Sequence, residues 1–342
     1  MPNRHSHSGF FSPLVVQGIE HRFASVHEYV RPKLWAHAIQ PQYAELRAWI
    51  NDQVDGFDRM AVGELLSRLG DPARHTQVVA ELATGAAMRT HGYSVQFNPT
   101  IDDLTPDLIV TDDEGHRLMA EVWTRGLAED AVSRNKQWAG LAQRIRKVPA
   151  PVALAASAAQ PGGAAPPDAR MRKRMEAELR RWLIEPRRVG ASYRCDDLIF
   201  RVVGTTTTGY AELLPIREAA ATDRKDVVEA IERKVKKYRR LADRHDMPFI
   251  VVLSADDGTG LTADHVDSIL EGNNTVTMNI PIDAVGPIDS GPIELRMTDA
   301  PPRFDPALSA VAWLDVNNGA DAQLVAWDLP TAARTVQTVD AD

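Results

Sequence analysis

Asp107-Leu-Ile-Val-Thr111, then Asp112-Asp-Glu-Gly115, then Arg117-Leu-Met-Ala-Glu-Val-Trp-Thr124 is the stretch on which the fold turns. Two runs of β-branched and apolar residues flank a tetrapeptide of turn formers, which predicts a β-hairpin. Residues that face each other across a hairpin keep a constant sum of their numbers. A turn centred on Asp113-Glu114 sets that sum near 227, so Asp107 and Glu121 face each other to within one residue of register. Two acids so placed repel unless something positive lies between them. A hard divalent cation suits paired carboxylate oxygens, Mg²⁺ (or Mn²⁺) above all. On hairpin geometry alone the two acids are either metal ligands or solvated strand ends.

Outward from the hairpin, the first 70 residues read as helical, with Phe57 to Leu69 a short amphipathic helix ending at Gly70. Asp71-Pro72 predicts the cap and first turn of a helix that runs to about His91, with Gly92 closing it and Tyr93 to Phe97 a half-buried strand. Leu127 to Lys147 reads as a helix, and the Ala-, Pro- and Gly-rich segment Pro149 to Pro167 as a loop. A basic helix over 170–184, a strand over Asp197 to Val203, a long helix over Asp226 to Arg244 and a strand over Pro248 to Leu253 follow. Ala310 to Val316 and Gln323 to Trp327 are two further strand candidates.

The fold class is therefore α/β, a mixed sheet flanked by helices. Its domains are an N-terminal helical extension (1–70) and an α/β domain over 71–342 that carries the 149–167 loop. In the Asp226 helix, Val227, Ile231, Lys234, Tyr238 and Leu241 fall on one face, and Lys234 is the only charged member. A lysine there must snorkel, pair with an acid or shift its pKa. Lys236 and Lys237 lie off that face.

The order of these features resembles the nuclease superfamily known for its Pro-Asp … Asp/Glu-x-Lys motif. Glu81 stands on a helix, Gly92-Tyr93 opens a strand, Thr105-Pro106-Asp107 enters the hairpin, and Met119-Ala120-Glu121-Val122-Trp123 leaves it. The resemblance covers residues 72 to 124 and extends more loosely to about Leu253. It implies a restriction-endonuclease-like core in which Asp107, Glu121 and Glu81 serve a Mg²⁺ or Mn²⁺ site. Hydrolysis of phosphodiester bonds in DNA, in defence or DNA processing, is implied with it, and so is a homodimer for cutting both strands. One position departs from the pattern: the motif lysine is replaced by Trp123, so Lys234 is the candidate for the missing cation. The alternative is a catalytically inactive nuclease-fold protein that binds nucleic acid or a partner protein.

Composition sets bounds. Residues 131 to 250 carry 25 Lys and Arg against 14 Asp and Glu, a net of +11, whereas the remainder carries −19, giving −8 for the 342-residue chain. A basic middle between acidic ends fits either a phosphate-attracting face or solvated helix faces. No apolar run reaches the 18 or so residues of a membrane span, and Met1 to Glu20 has no long apolar stretch of the kind a secretory signal needs. The single cysteine, Cys195, excludes an internal disulfide, which points to the cytoplasm. Its neighbours Asp196 and Asp197 would raise the thiol pKa and argue against a nucleophile. His5 and His7 lack companion ligands. Thr205 to Thr208 lacks the Gly-Lys-Ser/Thr ending of a phosphate loop and reads as a strand end with its turn. Trp35, Trp49 and Trp182 read as core or interface residues.

Overall fold

The computed structural model describes residues 9–26, 31–55, 59–126, 129–159, 165–214, 223–256, 259–278, 293–298, 301–316, 322–330 and 332–334. His5 and His7 lie outside them. The chain begins with four helices: α1 (Pro13–Phe23), α2 (Lys33–Ile39), α3 (Ala44–Asp55) and α4 (Arg59–Leu69), with a 3₁₀ turn over Pro41–Tyr43. α5 (His75–Thr90) follows. It starts three residues after Pro72 because Asp71 closes a local turn instead of capping the helix. The Asp71 carboxylate accepts from Ala73 N at 3.0 Å, and its carbonyl accepts from Arg74 N and His75 N. Leu34, Ile50, Leu65 and Leu69 from the first helices pack with Val78, Val79 and Leu82 of α5 in one core.

α5 is buried on nearly every side. A helix of that kind belongs at the centre of a layered fold. Its opposite face, Ala80, Ala83 and Met88, lies on the sheet. Gly85 permits this close approach: a Cβ there would sit 2.4 Å from the Phe97 ring and 3.3 Å from Leu108.

β1 (Ser94–Phe97), β2 (Leu108–Thr111) and β3 (Arg117–Arg125) form the first antiparallel run of the sheet. The turn between β2 and β3 is held by Asp112, whose carboxylate accepts from Glu114 N and His116 N at 2.9 and 2.8 Å. Gly115 supplies the left-handed residue there, at φ +89°.

Between β3 and the return to this sheet lies a segment with its own sheet and its own core. α6 (Glu129–Ile145), β4 (Val152–Ala158), α7 (Ala169–Trp182), β5 (Ser192–Cys195), β6 (Leu198–Thr205) and β7 (Glu212–Leu213) make it up. Its strands run in the order β5-β6-β4-β7, with β4 antiparallel to β6 and parallel to β7. All its fully buried apolar residues come from within 138–213. The expected loop over 149–167 is thus corrected: its first half is β4, a strand paired on both edges. Alanine has little strand preference of its own, but Val152 and Leu154 alternate into the core and pairing on both sides overrides composition. β6 ends at Thr205, and Thr206 donates to Tyr210 O at 2.7 Å in the expected turn.

α8 (Arg224–His245), β8 (Phe249–Ala255), α9 (Ala263–Leu270), β9 (Asn273–Met278), β10 (Ile293–Thr298), β11 (Ala310–Asp315) and β12 (Gln323–Asp328) complete the described elements. β9 and β10 form a separate antiparallel pair that the sequence reading did not anticipate. The first sheet runs β1-β2-β3-β8-β11-β12, with β8 parallel to both β3 and β11. Its faces separate by alternation. Even-numbered residues such as Ala120, Val122 and Val252 meet α5. Odd-numbered ones such as Met119, Val251 and Leu253 meet Val227, Ile231 and Tyr238 of α8. The described residues thus form a mixed α/β protein with two mixed sheets flanked by helices, and none of their helices is long and apolar enough to cross a membrane.

Candidate functional site

The β2–β3 register pairs Leu108 with Ala120, so the next step places Asp107 opposite Glu121. The two acids close the end of the ladder with their own carboxylates. Asp107 N donates to Glu121 Oε1 at 2.9 Å, and Val122 N donates to Asp107 Oδ2 at 2.8 Å. Glu121 is odd-numbered and faces α8. There Lys234 Nζ donates to Glu121 Oε2 at 2.6 Å and to Asp107 Oδ2 at 3.2 Å. The lysine isolated on the apolar stripe is the counter-ion of the hairpin acids.

β3 outruns β2 beyond this point, leaving backbone groups on its edge with no strand to pair. Gln77, in the first turn of α5, takes them. Its amide donates to Val122 O at 2.8 Å and accepts from Thr124 N at 3.1 Å, as a peptide group of a neighbouring strand would. It also donates to Glu81 Oε1 at 3.3 Å, so it ties the helix acid to the strand. Gln77→Leu leaves a buried donor and acceptor unmet and should lower stability by about 2 kcal/mol. Urea unfolding checks this, and a loss below about 0.5 kcal/mol would remove Gln77 from its latching role.

Glu81 is fully buried and pairs with Arg68 of α4, which also donates to Asn98 Oδ1 at 2.9 Å. The helices before residue 70 thus deliver a cation to the site. Glu81 Oε2 has no hydrogen-bond partner among the described residues. Burial first, and the Asp107 charge second, push both Glu81 and Glu121 up to about 7, against the pull of Arg68 and Lys234 respectively. Burial works against the charge on Lys234, but Asp107 and Glu121 outweigh it and hold the ammonium above its ordinary pKa. Tyr238, one turn further along α8, donates to Thr105 O at 2.7 Å and so fixes the chain just before Pro106-Asp107.

The structure brings together Asp107, Glu121 and Lys234 by direct contact, and sets Glu81 within electrostatic reach of Asp107. Trp123 is half-buried among the apolar residues on the α8 side. Arg239 pairs with Asp305 at 3.2 Å. In the basic helix Arg174 and Arg180 pair with acids, whereas Arg170, Lys173, Arg181 and Arg188 on and after it are exposed. Cys195 is pushed up to about 12, by burial first and by Glu178 at 3.0 Å second, so its inertness owes more to these than to the adjoining aspartates. Trp182 stacks on Tyr193 at 5.4 Å, and Trp35 and Trp49 pack against the N-terminal core.

No family model matches the chain, and no curated protein or solved structure does either. The chemistry has to be argued from the side chains.

Among the described residues no group of three or more His, Cys, Asp or Glu side chains is arranged to hold a metal ion. The donor set nonetheless suits a hard divalent cation: Asp107 and Glu121 meet at one point, and Glu81 Oε2 is a buried, unpartnered carboxylate oxygen. Arg68 and Lys234 stand where positive charge is needed.

Proposed function

We propose that this chain is a Mg²⁺- or Mn²⁺-dependent nuclease with a restriction-endonuclease-like core that hydrolyses phosphodiester bonds in DNA. The observation that carries the reading is the contact of Lys234 with both hairpin acids, which restores the cation that Trp123 lacks. The element order supports it: a helix with a buried acid, a strand, the hairpin, and later a helix and a parallel strand follow the order the resemblance implies. The basic middle of the chain, +11 over residues 131 to 250, favours a polyanionic substrate.

Asp107 and Glu121 would hold the cation, with Glu81 Oε2 beside them. When bound, such a cation supplies Lewis acidity toward the phosphate and lowers the pKa of water. Lys234 then stabilises negative charge that grows on the phosphate oxygens, at the end of the sheet where Glu121 is held from both sides. Asp107 stays oriented by Val122 N, and Tyr238 fixes the approach of the chain to it.

The test is cleavage of plasmid, linear and single-stranded DNA with Mg²⁺ or Mn²⁺. Wild type should cut, and Asp107→Ala and Lys234→Ala should each lose at least about a hundredfold in rate. Loss in Asp107→Ala alone would discard the role of Lys234. A second reading, a nuclease-fold protein that binds nucleic acid or a partner protein without cutting, is favoured by the Lys234 ammonium already bridging the two acids. Absence of cleavage by wild type with either metal would establish it over the first.

A further inference from the structure

On the α5 side of the first sheet, away from Lys234, lies a cavity of about 240 Å³. It opens where the N-terminal turn of α5 meets the C-terminal ends of β8 and β11, and α2 and the Pro41–Tyr43 turn close it. Its polar lining is Lys33, His37, Tyr43, Thr76, Ser254 and Asp256, and Val79, Ala80 and Val316 make its apolar wall.

The proton positions in this wall follow from a chain of hydrogen bonds. His75 Nδ1 lies 2.8 Å from Leu69 O, and a carbonyl only accepts, so Nδ1 carries the hydrogen. Burial pushes His75 down to about 4, so the ring is neutral and its Nε2 is an acceptor. His37 Nδ1 is 2.9 Å from that Nε2 and must donate to it. Burial, with His75 next, pushes His37 down to about 3, so this ring too is neutral and its Nε2 is a bare lone pair. His37 is only 6% exposed, so an acceptor at the cavity wall has little water to satisfy it.

Ser254 makes the complementary case. It is 3% exposed, lines the same cavity, and its hydroxyl has no partner among the described residues. Buried polar groups are almost always bonded, so an orphan donor and an orphan acceptor on one wall mark a place where a ligand supplies both. Beside them the first turn of α5 has no side-chain cap, leaving backbone N–H groups and the positive end of a 16-residue helix dipole. Lys33 adds a positive charge at the rim and Asp256 a negative one.

We propose that this cavity binds a mononucleotide, its base against Val79 and Tyr43 with one edge on His37 and Ser254, its phosphate at the α5 N-terminus and Lys33. A base edge carries an N–H donor next to an acceptor, which is what the wall lacks. The phosphate answers the uncapped helix, and a sugar hydroxyl answers Asp256. Simple anions satisfy only the second half of this lining. The proposal stands apart from the metal reading of Asp107 and Glu121, because it requires no cleavage and uses neither residue. Thr76 adjoins Gln77, the residue latched to β3, so a nucleotide seated here lies one helical turn from Glu81.

Titration calorimetry on the full chain with dAMP, dCMP, dGMP and dTMP, and with inorganic phosphate, tests it. At least one nucleotide should bind saturably. Ser254→Ala and Lys33→Ala should each weaken it about tenfold, as should Thr76→Val, a milder change kept as a check on folding. Asp107→Asn should bind as wild type does. The proposal is overturned if no nucleotide binds, if Ser254→Ala and Thr76→Val both bind unchanged, or if inorganic phosphate binds as tightly as any nucleotide.

Discussion

Lys234→Met should destabilise the protein by about 3 kcal/mol at pH 8.5, and by less than half of that at pH 5.5. The lysine is four-fifths buried, and its ammonium touches both hairpin acids. Removing it leaves two carboxylates facing each other with no charge between them, which is the costly way to break a buried pair. The pH dependence follows from Glu121. Its folded pKa is raised to about 7, above its value in the unfolded chain. Such a group contributes stability that is complete below the unfolded value near 4.5 and is lost as pH rises through the folded one. With Lys234 present the loss ends near pH 7. Without it the folded pKa climbs further and the loss continues, at about 1.4 kcal/mol per pH unit. Urea unfolding at pH 5.5, 7 and 8.5 measures this, and a deficit that does not change with pH would mean that Lys234 is not the counter-ion of Glu121.

Glu121→Gln should shift stability in the opposite sense. In the wild type, Glu81 and Glu121, both at about 7, lose stability as pH rises between 4.5 and 7. His37 and His75 are depressed from 6.5 to about 3 and about 4, so their stability is present above 6.5 and lost as pH falls through those values. The two pairs oppose each other over pH 4.5 to 6.5, and the wild-type curve should be nearly flat there. Glu121→Gln removes one of the two acids. Relative to wild type, its stability should rise with pH by about 1.4 kcal/mol per unit between 4.5 and 7, the slope of one proton. Parallel curves for variant and wild type would show that Glu121 titrates at its ordinary value in the folded protein.

The hairpin was legible because its information is local: turn chemistry and alternation lie within 18 residues, and they set the register that brings Asp107 to Glu121. Lys234 was legible for a different reason. A single charge on an apolar helical stripe has few ways to be satisfied, and pairing with two acids is one of them. Gln77 and Arg68 gave no comparable signal. Glutamine on a helix is ordinary, and only the unequal lengths of β2 and β3, a tertiary fact, create the edge that Gln77 fills. Arg68 lies in a helix whose own pattern says nothing of Glu81. β4 was hidden by alanine, whose small side chain records neither helix nor strand clearly, so composition outweighed a two-residue alternation. The separate core of residues 138–213 was hidden because its strands are short and its pairing partners distant in sequence.

The segment with its own sheet also sets an order in time. Glu121 and Lys234 are 113 residues apart. At about 5–20 residues per second, the ribosome adds Lys234 on the order of 6 to 20 s after Glu121. Over that interval the nascent hairpin exists with its two acids but without their cation, and β3 lacks β8, its partner on the far edge. The residues made in the meantime can fold on a core of their own, and Arg125 and Asp226, which flank them, end 2.7 Å apart. A translation pause between residues 126 and 224 would therefore lengthen the life of an incomplete sheet with an open edge, the form of this chain most prone to pair with another copy of itself.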